Sequence, residues 1–399
     1  MILTQQIRIQ PSPEQEEVLW ALSEKCRLIY NFALQERKEA YEKENKSISY
    51  IQQQNQLPSI KEEYPEYKWV YSKVLQNTLR TLDQNFKSFY ALNKKGDAKA
   101  RPPKHKGRKY FTTLKYNQSG FKHEEGKITL SHKHPSKQPL AFAIPNKFTF
   151  EKIKQIDLYQ NRDDEWYISV VHQEKTPDYE DNEQYQAFDL GVTKHAATNS
   201  QGKSLEVTNK RPDKYWDKRI RAVQSKRDHC KKGSRRWKRY HSALRTMKRK
   251  ASNQLKDYQH KTTTRLVNNT KANTLIVGDL SVKDMCQINT HEKTLHTSLH
   301  NTGTIARFVQ YLTYKSERVG KRVERIDERY TSKTCCCCGE QQEMPLSKRT
   351  YNCGTCGNEL DRDVNSSINI LLRYLSQNGL WTAYQRTVGN LRQTGVAIR

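Results

Sequence analysis

The chain has 399 residues, enough for two or three domains, and carries a formal net charge of +28. Such an excess of cations favours a polyanionic partner, because without one it contributes only self-repulsion to the folded chain. The sequence shows no apolar run near ~18 residues, no signal-peptide pattern and no lipidation motif, which argues against a membrane partner and leaves nucleic acid.

The N-terminal part predicts a strand followed by two packed helices. Residues 2–9 alternate loosely as a strand, and Ser12 with Pro13 then provides the expected start of a helix. A second helix is predicted over 68–94, since both segments carry an apolar stripe at helical spacing. The first stripe comprises Val18, Leu19, Leu22, Cys26, Ile29, Tyr30, Ala33 and Leu34, and the second comprises Val70, Val74, Leu75, Leu79, Leu82, Phe86, Phe89 and Tyr90.

A basic stretch with proline and glycine occupies residues 95–124, and we expect a loop or arm there. Strand-like segments follow near 127–131, 150–159 and 165–173. Together with the first strand they predict a small β-barrel with the helices inserted after its first strand.

From residue 185 strands alternate with helices, which predicts an α/β sheet. The apolar strands are "YQAFDL", "NTLIVGDLS" and "KRVERIDE", the last of them preceded by a helix at about 303–319. Residues 209–270 are very basic, and Gly233 divides them into a helical hairpin. A final helix is predicted for "DVNSSINILLRYL".

Six of the nine cysteines fall between residues 335 and 356. Cys335 with Cys338 and Cys353 with Cys356 form two C-x2-C pairs, each followed by glycine, which is typical of two knuckles that hold one structural Zn²⁺ through four thiolates. Cys336 and Cys337 are expected to be passengers within the first knuckle, although either of them could substitute as a ligand.

Carboxylates stand at the ends of two predicted elements. Asp189 lies inside an apolar strand, where it needs a cation, hydrogen bonds or a metal. Asp361 and Asp363 head the last helix, where capping is the structural alternative. An acid on the first strand, one on a central strand and one on a late helix form an RNase H-type constellation, in which three carboxylates hold two Mg²⁺ ions for phosphodiester cleavage.

Four motifs, in this order and spacing, resemble the TnpB family, the OrfB-type RNA-guided nucleases that transposons encode and that are related to type V CRISPR effectors. The motifs are "FDLGVTKHAATNS", "NTLIVGDLSVKDM", "YTSKTC-x2-CG" and "CGTCGNELDRDVNSSINIL". The resemblance implies a guide RNA from the transposon end and cleavage of double-stranded DNA beside a short transposon-adjacent motif. It also implies a prokaryotic cytoplasmic protein, nucleoid-associated when bound to DNA, with a monomer favoured.

The same resemblance implies five regions. They are a wedge-like β-barrel (1–10 and 95–180), a helical recognition insert (11–94), an RNase H-like RuvC nuclease domain (181–334 and 357–376), a zinc ribbon (335–356) and a flexible C-terminal tail (377–399).

By position, Asp189 corresponds to the first RuvC acid and Asp363 to the third, with Asp361 as the neighbour that could be confused with it. The family's second acid is usually a glutamate, where this chain has Gly278. One reading is a nuclease-inactive, RNA-guided DNA-binding regulator. Another is a relocated acid, either Asp279 or, on the neighbouring parallel strand, Glu328, whose structural alternative is a surface acid paired with an arginine.

Nucleic-acid contacts are expected on the hairpin, which lacks balancing acids and would line a channel for the guide–target heteroduplex, and on the N-terminal region. The hairpin candidates are Lys218, Arg219, Arg221, Arg235, Arg236 and Lys238. The basic-stretch candidates are Lys104, Lys106, Arg108 and Lys109. The candidates for reading the adjacent motif are Tyr50, Gln52, Lys73, Gln76 and Asn77.

Overall fold

A computed structural model describes residues 1–279, 304–345 and 347–396. The chain forms two compact units, Met1–Lys175 and Thr176–Arg399. None of the helices in these described residues is both long and apolar enough to cross a membrane.

The first unit is built on helix α1 (Pro13–Glu44) and helix α4 (Ser72–Lys94), which pack against each other. As predicted, Ser12 caps α1: its hydroxyl accepts from the Gln15 amide, and the Gln15 side chain accepts from the Ser12 amide. Short helices α2 (Tyr50–Asn55) and α3 (Leu57–Glu63) and a 3₁₀ turn (Pro65–Trp69) connect them. All eight residues of the first predicted stripe are buried. The second stripe is buried only to Leu82, and Tyr90 is 58% exposed.

Seven strands complete this unit. They are β1 (Ile2–Ile9), β2 (Leu114–Asn117), β3 (Phe121–Glu124), β4 (Lys127–Leu130), β5 (Leu140–Ala143), β6 (Lys152–Gln160) and β7 (Trp166–Gln173). They pair as a four-stranded antiparallel sheet, β1-β7-β6-β2, and a three-stranded one, β3-β4-β5. Both sheets contribute to one core with the helices. Closure of these sheets into a wedge-like barrel stays a prediction.

The second unit is organised around one mixed sheet in the order β10-β9-β8-β11-β12. Its strands are β8 (Tyr185–Leu190), β9 (Lys194–Asn199), β10 (Ser204–Thr208), β11 (Thr274–Gly278) and β12 (Arg322–Ile326). The first three are antiparallel neighbours, and β11 runs parallel to both β8 and β12. This is the strand order of an RNase H-like sheet, as the motif order predicted.

Helices cover this sheet. The basic hairpin consists of α5 (Pro212–Asp228) and α6 (Arg235–Asn269), with Gly233 between them at φ 86°, where glycine is favoured. Helix α7 (Thr304–Glu317) packs against α6, and helix α8 (Arg362–Gln377) packs against β8 and β9. A two-stranded ribbon, β13 (Thr350–Asn352) with β14 (Glu359–Asp361), precedes α8.

The expectation of a flexible tail over 377–399 is wrong for the residues that the structure describes. Trp381–Gln393 forms helix α9, in which Leu391 is fully buried and Ala383 and Thr387 also face inward. The Asn390 side-chain amide donates to the carbonyl of Ser200, which ties α9 to the turn after β9. The buried positions include Ala and Thr, so the sequence lacks a visible apolar stripe there.

Candidate active site and metal centre

Three carboxylates meet where strands β8 and β12 end and helix α8 begins. The register of β8 with β11 sets Asp189 level with Gly278, and Gly278 pairs in turn with Ile326 of β12. Glu328 lies two residues beyond that pair, which returns its side chain to the same face of the sheet. Asp363 stands in the first turn of α8. Charge interactions link Asp189 with both Asp363 and Glu328, which makes these three acids the candidate site.

Glu328 fills the space that Gly278 leaves open. A Cβ atom added to Gly278 would lie 1.6 Å from Glu328 Oε2, a distance that two non-bonded atoms cannot share. Glu328 Oε2 is buried and has no hydrogen-bond partner among the described residues. The surface pairings that were the alternative for Glu328 are made by other acids, since Arg325 contacts Asp279 and Arg329 contacts Asp327.

Burial makes this carboxylate cluster hard to ionise. Burial first, and then the charge of Asp363, raises the pKa of Asp189 to about 7, while a hydrogen bond from Ser366 acts in the opposite direction. Burial, followed by the charge of Asp189, raises the pKa of Glu328 to about 8. Two acids with values near neutrality require a cation before both can be charged.

Asp363 is held by cations from the chain itself. The Arg362 guanidinium donates to Asp363 Oδ1 from Nη2 at 3.0 Å and from Nε at 3.2 Å. Lys194 and Arg349 approach Asp363 Oδ2 at 3.8 and 3.7 Å. Sequence reasoning did not single out Arg362 or Lys194, and the only available signal was their position within the "DRD" and "GVTK" motifs.

The other two candidate acids have structural roles. Asp361 caps α8: its Oδ1 accepts from the amides of Asp363 and Val364, and its Oδ2 accepts from Lys194 at 2.7 Å. Burial opposes ionisation of Asp361, but Lys194 and the two amides outweigh it and lower the pKa. Asp279 is exposed and contacts Arg325 at 3.4 Å on the opposite face from Gly278.

The donor set suits a hard cation. Carboxylate oxygens are the ligands that Mg²⁺ prefers, and the unsatisfied Glu328 Oε2 is an acceptor without a donor. Among the described residues, the three acids do not gather within the 4.8 Å that defines a single-ion group. The charge interactions of Asp189 with Asp363 and Glu328, rather than a close-packed set of ligand atoms, relate the three acids to one another.

The cysteine centre has the dimensions of a zinc site. The ligand atoms of Cys335, Cys338, Cys353 and Cys356 all lie within 4.8 Å of one another. Two Sγ–Sγ distances, Cys335–Cys356 and Cys338–Cys353, are 3.7 and 3.6 Å. A tetrahedron with ~2.3 Å Zn–S bonds has an edge of about 3.8 Å, so these residues fit Zn²⁺.

Both knuckles close as their glycines predict. Gly339 and Gly357 adopt φ values of 77° and 70°, and their amides donate to the carbonyls of Cys335 and Cys353. Backbone donors, chiefly the amide of Cys356, lower the pKa of Cys353 to about 6, which favours the thiolate that a metal needs.

Cys336 and Cys337 are more than passengers. They are 5% and 2% exposed, and they pack with Ile368 of α8 and Leu391 of α9 in one core cluster. The Cys336 amide donates to Asn365 Oδ1. The inner cysteines therefore anchor the knuckle as small apolar residues, a role that free cysteine commonly fills.

Three family models match the chain. A "Helix-turn-helix domain" model of the OrfB/IS605 group matches residues 1–46, a "Probable transposase" model of the same group matches 167–289, and a "Cas12f1-like, TNB domain" model matches 306–370. Over these segments the chain is similar to the OrfB, or TnpB, family.

Proteins similar to this chain carry related names. A Streptomyces pristinaespiralis protein named "Putative RNA-guided DNA endonuclease" is 26% identical over 91% of this chain and 87% of its own length. "TnpB-like protein L79" of Acanthamoeba polyphaga mimivirus is 29% identical over 55% of this chain and 43% of its own length. The protein of a Cas12f1–sgRNA–target DNA complex shares the fold with a TM-score of 0.60, at 12% identity, over 93% of this chain and 98% of that one.

The six residues predicted to contact nucleic acid on the hairpin are all exposed. Helix α5 has no buried residue, which leaves its cationic faces open. Two of its arginines have local partners: Arg219 lies 3.7 Å over the Tyr215 ring, and Arg221 pairs with Asp217 at 2.7 Å.

Several N-terminal candidates carry structural contacts. Lys106 Nζ lies 4.0 Å from the centre of the Tyr30 ring, whereas Lys104, Arg108 and Lys109 are exposed. Asn77 donates to the carbonyl of Lys115.

Among the residues predicted to read the adjacent DNA motif, some make contacts within the chain and others face solvent. Gln52 completes the capping box of α2, and the Tyr50 ring lies beneath Arg80. Lys73 is exposed, and Gln76 lines a small surface cavity.

Proposed function

We propose that this chain is an RNA-guided DNA endonuclease of transposon origin, which cleaves double-stranded DNA beside a short transposon-adjacent motif. The observation that carries the proposal is the position of the Glu328 carboxylate in the space above Gly278, within charge range of Asp189. A chain that had lost the site would have no reason to keep a buried, unpaired glutamate there. The names of its relatives support the same activity.

Asp189, Glu328 and Asp363 would hold the Mg²⁺ ions. When bound, these ions supply an activated water and neutralise the charge that develops on the phosphodiester. Ser366 orients the Asp189 carboxylate by a hydrogen bond, and Arg362 holds Asp363 through two hydrogen bonds. Lys194 keeps Asp361 on the amides of α8, which fixes the start of the helix that presents Asp363.

The partners of the proposed reaction are a guide RNA from the transposon end and the DNA that pairs with it. The exposed cations of α5 and α6 suit phosphate backbones, since such contacts need charge and reach rather than a base sequence. The zinc ribbon, packed on α8 through its inner cysteines, would brace the helix that carries Asp363.

The proposal is tested with the purified chain, RNA transcribed from the flank of its gene, and a supercoiled plasmid carrying the matched target. In Mg²⁺ we expect linearised plasmid, no product in EDTA, and at least ~10²-fold slower cleavage by Asp189→Ala and Asp363→Ala. Asp279→Ala, at an exposed acid nearby, is the matched control and should cleave normally.

Gly278 favours one other function, a nuclease-inactive RNA-guided regulator, because it removes the acid that the family usually has. Guide-dependent binding of the plasmid without cleavage in Mg²⁺ would support that alternative. Cleavage that survives Asp189→Ala would contradict the carboxylate assignment.

A further inference from the structure

A cavity of about 800 Å³ opens between the C-terminal halves of α1 and α4, within the first unit. Its walls carry four aromatic side chains, Tyr41, Phe86, Phe89 and Tyr90. Tyr41 and Tyr90 are 65% and 58% exposed, whereas the apolar residues of α4 between Val74 and Leu82 are buried. Large aromatic rings left open to solvent mark a surface that binds something.

The rings form a continuous stacking surface. Phe86 and Tyr90 stack with their centroids 6.0 Å apart and a 27° angle between planes, and Phe89 lies 5.3 Å from Tyr90. Because residues 86, 89 and 90 are three and four apart, one face of α4 presents all of them.

A buried arginine lines the same cavity. The Arg37 side chain is only 9% exposed, with Nε donating to Gln53 and Nη1 to Asp83. Its guanidinium carbon lies 5.4 Å over the Phe86 ring. Arg37 Nη2 is buried and has no hydrogen-bond partner among the described residues. A rigidly held donor left unpaired can accept a partner from outside the chain, either water or the acceptor group of a ligand.

The charge of the lining selects the ligand. Four cations, Arg37, Lys38, Lys46 and Lys87, stand against two acids, Glu42 and Asp83. An aromatic wall, an unpaired guanidinium donor and an excess of cations together suit a flat ring with an acceptor edge and an attached phosphate.

We propose that this cavity binds an unstacked nucleotide, with its base against Tyr41 and Tyr90 and its acceptor edge toward Arg37. The proposal rests on the proposed function, because the nucleotide would come from the guide RNA or from a single strand of the target DNA. Lys73, Gln76 and Asn77, the residues predicted to read the adjacent motif, do not line this cavity.

The test uses the full chain and octanucleotides that carry a single 5-iodouracil, one as RNA and one as DNA, at about 0.5 M salt to suppress general phosphate binding. After irradiation, crosslinked peptides are mapped by mass spectrometry. We expect the crosslink on Tyr41 or Tyr90, with a yield at least about fivefold lower in Tyr90→Ala. Tyr64→Ala, an exposed tyrosine of the same insert outside the cavity, is the matched control and should be unchanged.

Preference for the RNA probe would assign the cavity to the guide, and preference for the DNA probe would assign it to a target strand. Crosslinks that map elsewhere, or that persist in Tyr90→Ala, overturn the cavity proposal, including the case in which an acidic protein segment is the true occupant. Plasmid cleavage is measured in parallel. Cleavage without a cavity crosslink overturns only this inference, whereas a cavity crosslink in a chain that never cleaves overturns only the nuclease.

Discussion

In the proposed active site, Glu328 on one strand takes the place of an acid at position 278 of the neighbouring strand. Parallel strand ends lie about 5 Å apart, so a glutamate two residues beyond the register partner of Gly278 reaches the same space. A residue without a Cβ at 278 leaves Glu328 Oε2 in its observed position, because any side chain there would displace it.

Gly278→Ala should therefore damage catalysis more than stability. The added methyl displaces the flexible end of Glu328, which we expect to slow cleavage by about 10- to 100-fold while changing the free energy of unfolding by less than about 1 kcal/mol. Single-turnover cleavage rates and melting temperatures measure the two effects. Gly389→Ala is the control, since a Cβ added there meets no atom within 4 Å. Wild-type cleavage by Gly278→Ala would show that the position of Glu328 is irrelevant.

Lys106 makes the folding stability of the first unit depend on pH. Burial, reinforced by the charge of Lys115, lowers the pKa of Lys106 to about 8, against about 10.4 in the unfolded chain. Between these values the unfolded chain binds more protons, so this residue makes stability rise with pH from about 8 to about 10.4.

Between about pH 8 and about pH 10.4, we expect the free energy of unfolding of the wild type to rise by about 1 kcal/mol relative to that of Lys106→Met, after allowance for solvent screening. Urea unfolding of both proteins at the two ends of the range measures the difference. Lys104→Met, at an exposed position, should show no such gain. If the wild type became less stable relative to Lys106→Met as pH rises, the lowered pKa of Lys106 would be contradicted.

At the scale of elements, the two cysteine knuckles and helices α8 and α9 form one assembly. The outer cysteines define a tetrahedron and the inner ones pack into the helices. Metal binding and helix packing are therefore separable by mutation within four consecutive residues.

Cys338→Ser should lower bound zinc from about one ion per chain to well below half, because three thiolates hold Zn²⁺ less tightly than four. Cys336→Ala should keep the zinc and instead lower the melting temperature, as a buried side chain is truncated. Metal analysis of the purified variants distinguishes the two. If Cys336→Ala lost the zinc and Cys338→Ser kept it, the assignment of the outer cysteines as the zinc ligands would be wrong.

The sequence predicted elements with strong periodic signals and missed weak ones. Helices α1 and α4 carry long apolar stripes, and β8 and β11 are short buried runs, so all four were predictable. Strands β2, β3 and β5 have only four residues each, too few to show a period. Helix α9 buries Ala383 and Thr387, which do not register as apolar. The cavity around Arg37 depends on two helix ends, which no local pattern reveals.

At the scale of the whole chain, the net charge of +28 and the acid cluster suit two parts of the proposed function, nucleic-acid binding and cleavage. In the proposed function, the exposed cations on α5 and α6 would contact phosphates without reading the sequence, which a guide RNA would supply. Glu328 Oε2, by contrast, is buried without a hydrogen-bond partner among the described residues, and the proposed metal ions would supply its cation. The sequence predicted both features, whereas Arg362 and Lys194, which hold the acid site in place, emerged only from the packing of α8 on the sheet.

The most direct test of the central claim is the guided plasmid-cleavage rate of Glu328→Ala beside Asp327→Ala. Asp327 is the adjacent acid, and its side chain is 64% exposed and lies near Arg329. We predict at least ~10²-fold slower cleavage by Glu328→Ala, a near wild-type rate for Asp327→Ala, and partial recovery when Gly278→Glu is added to Glu328→Ala. Wild-type cleavage by Glu328→Ala would contradict the account.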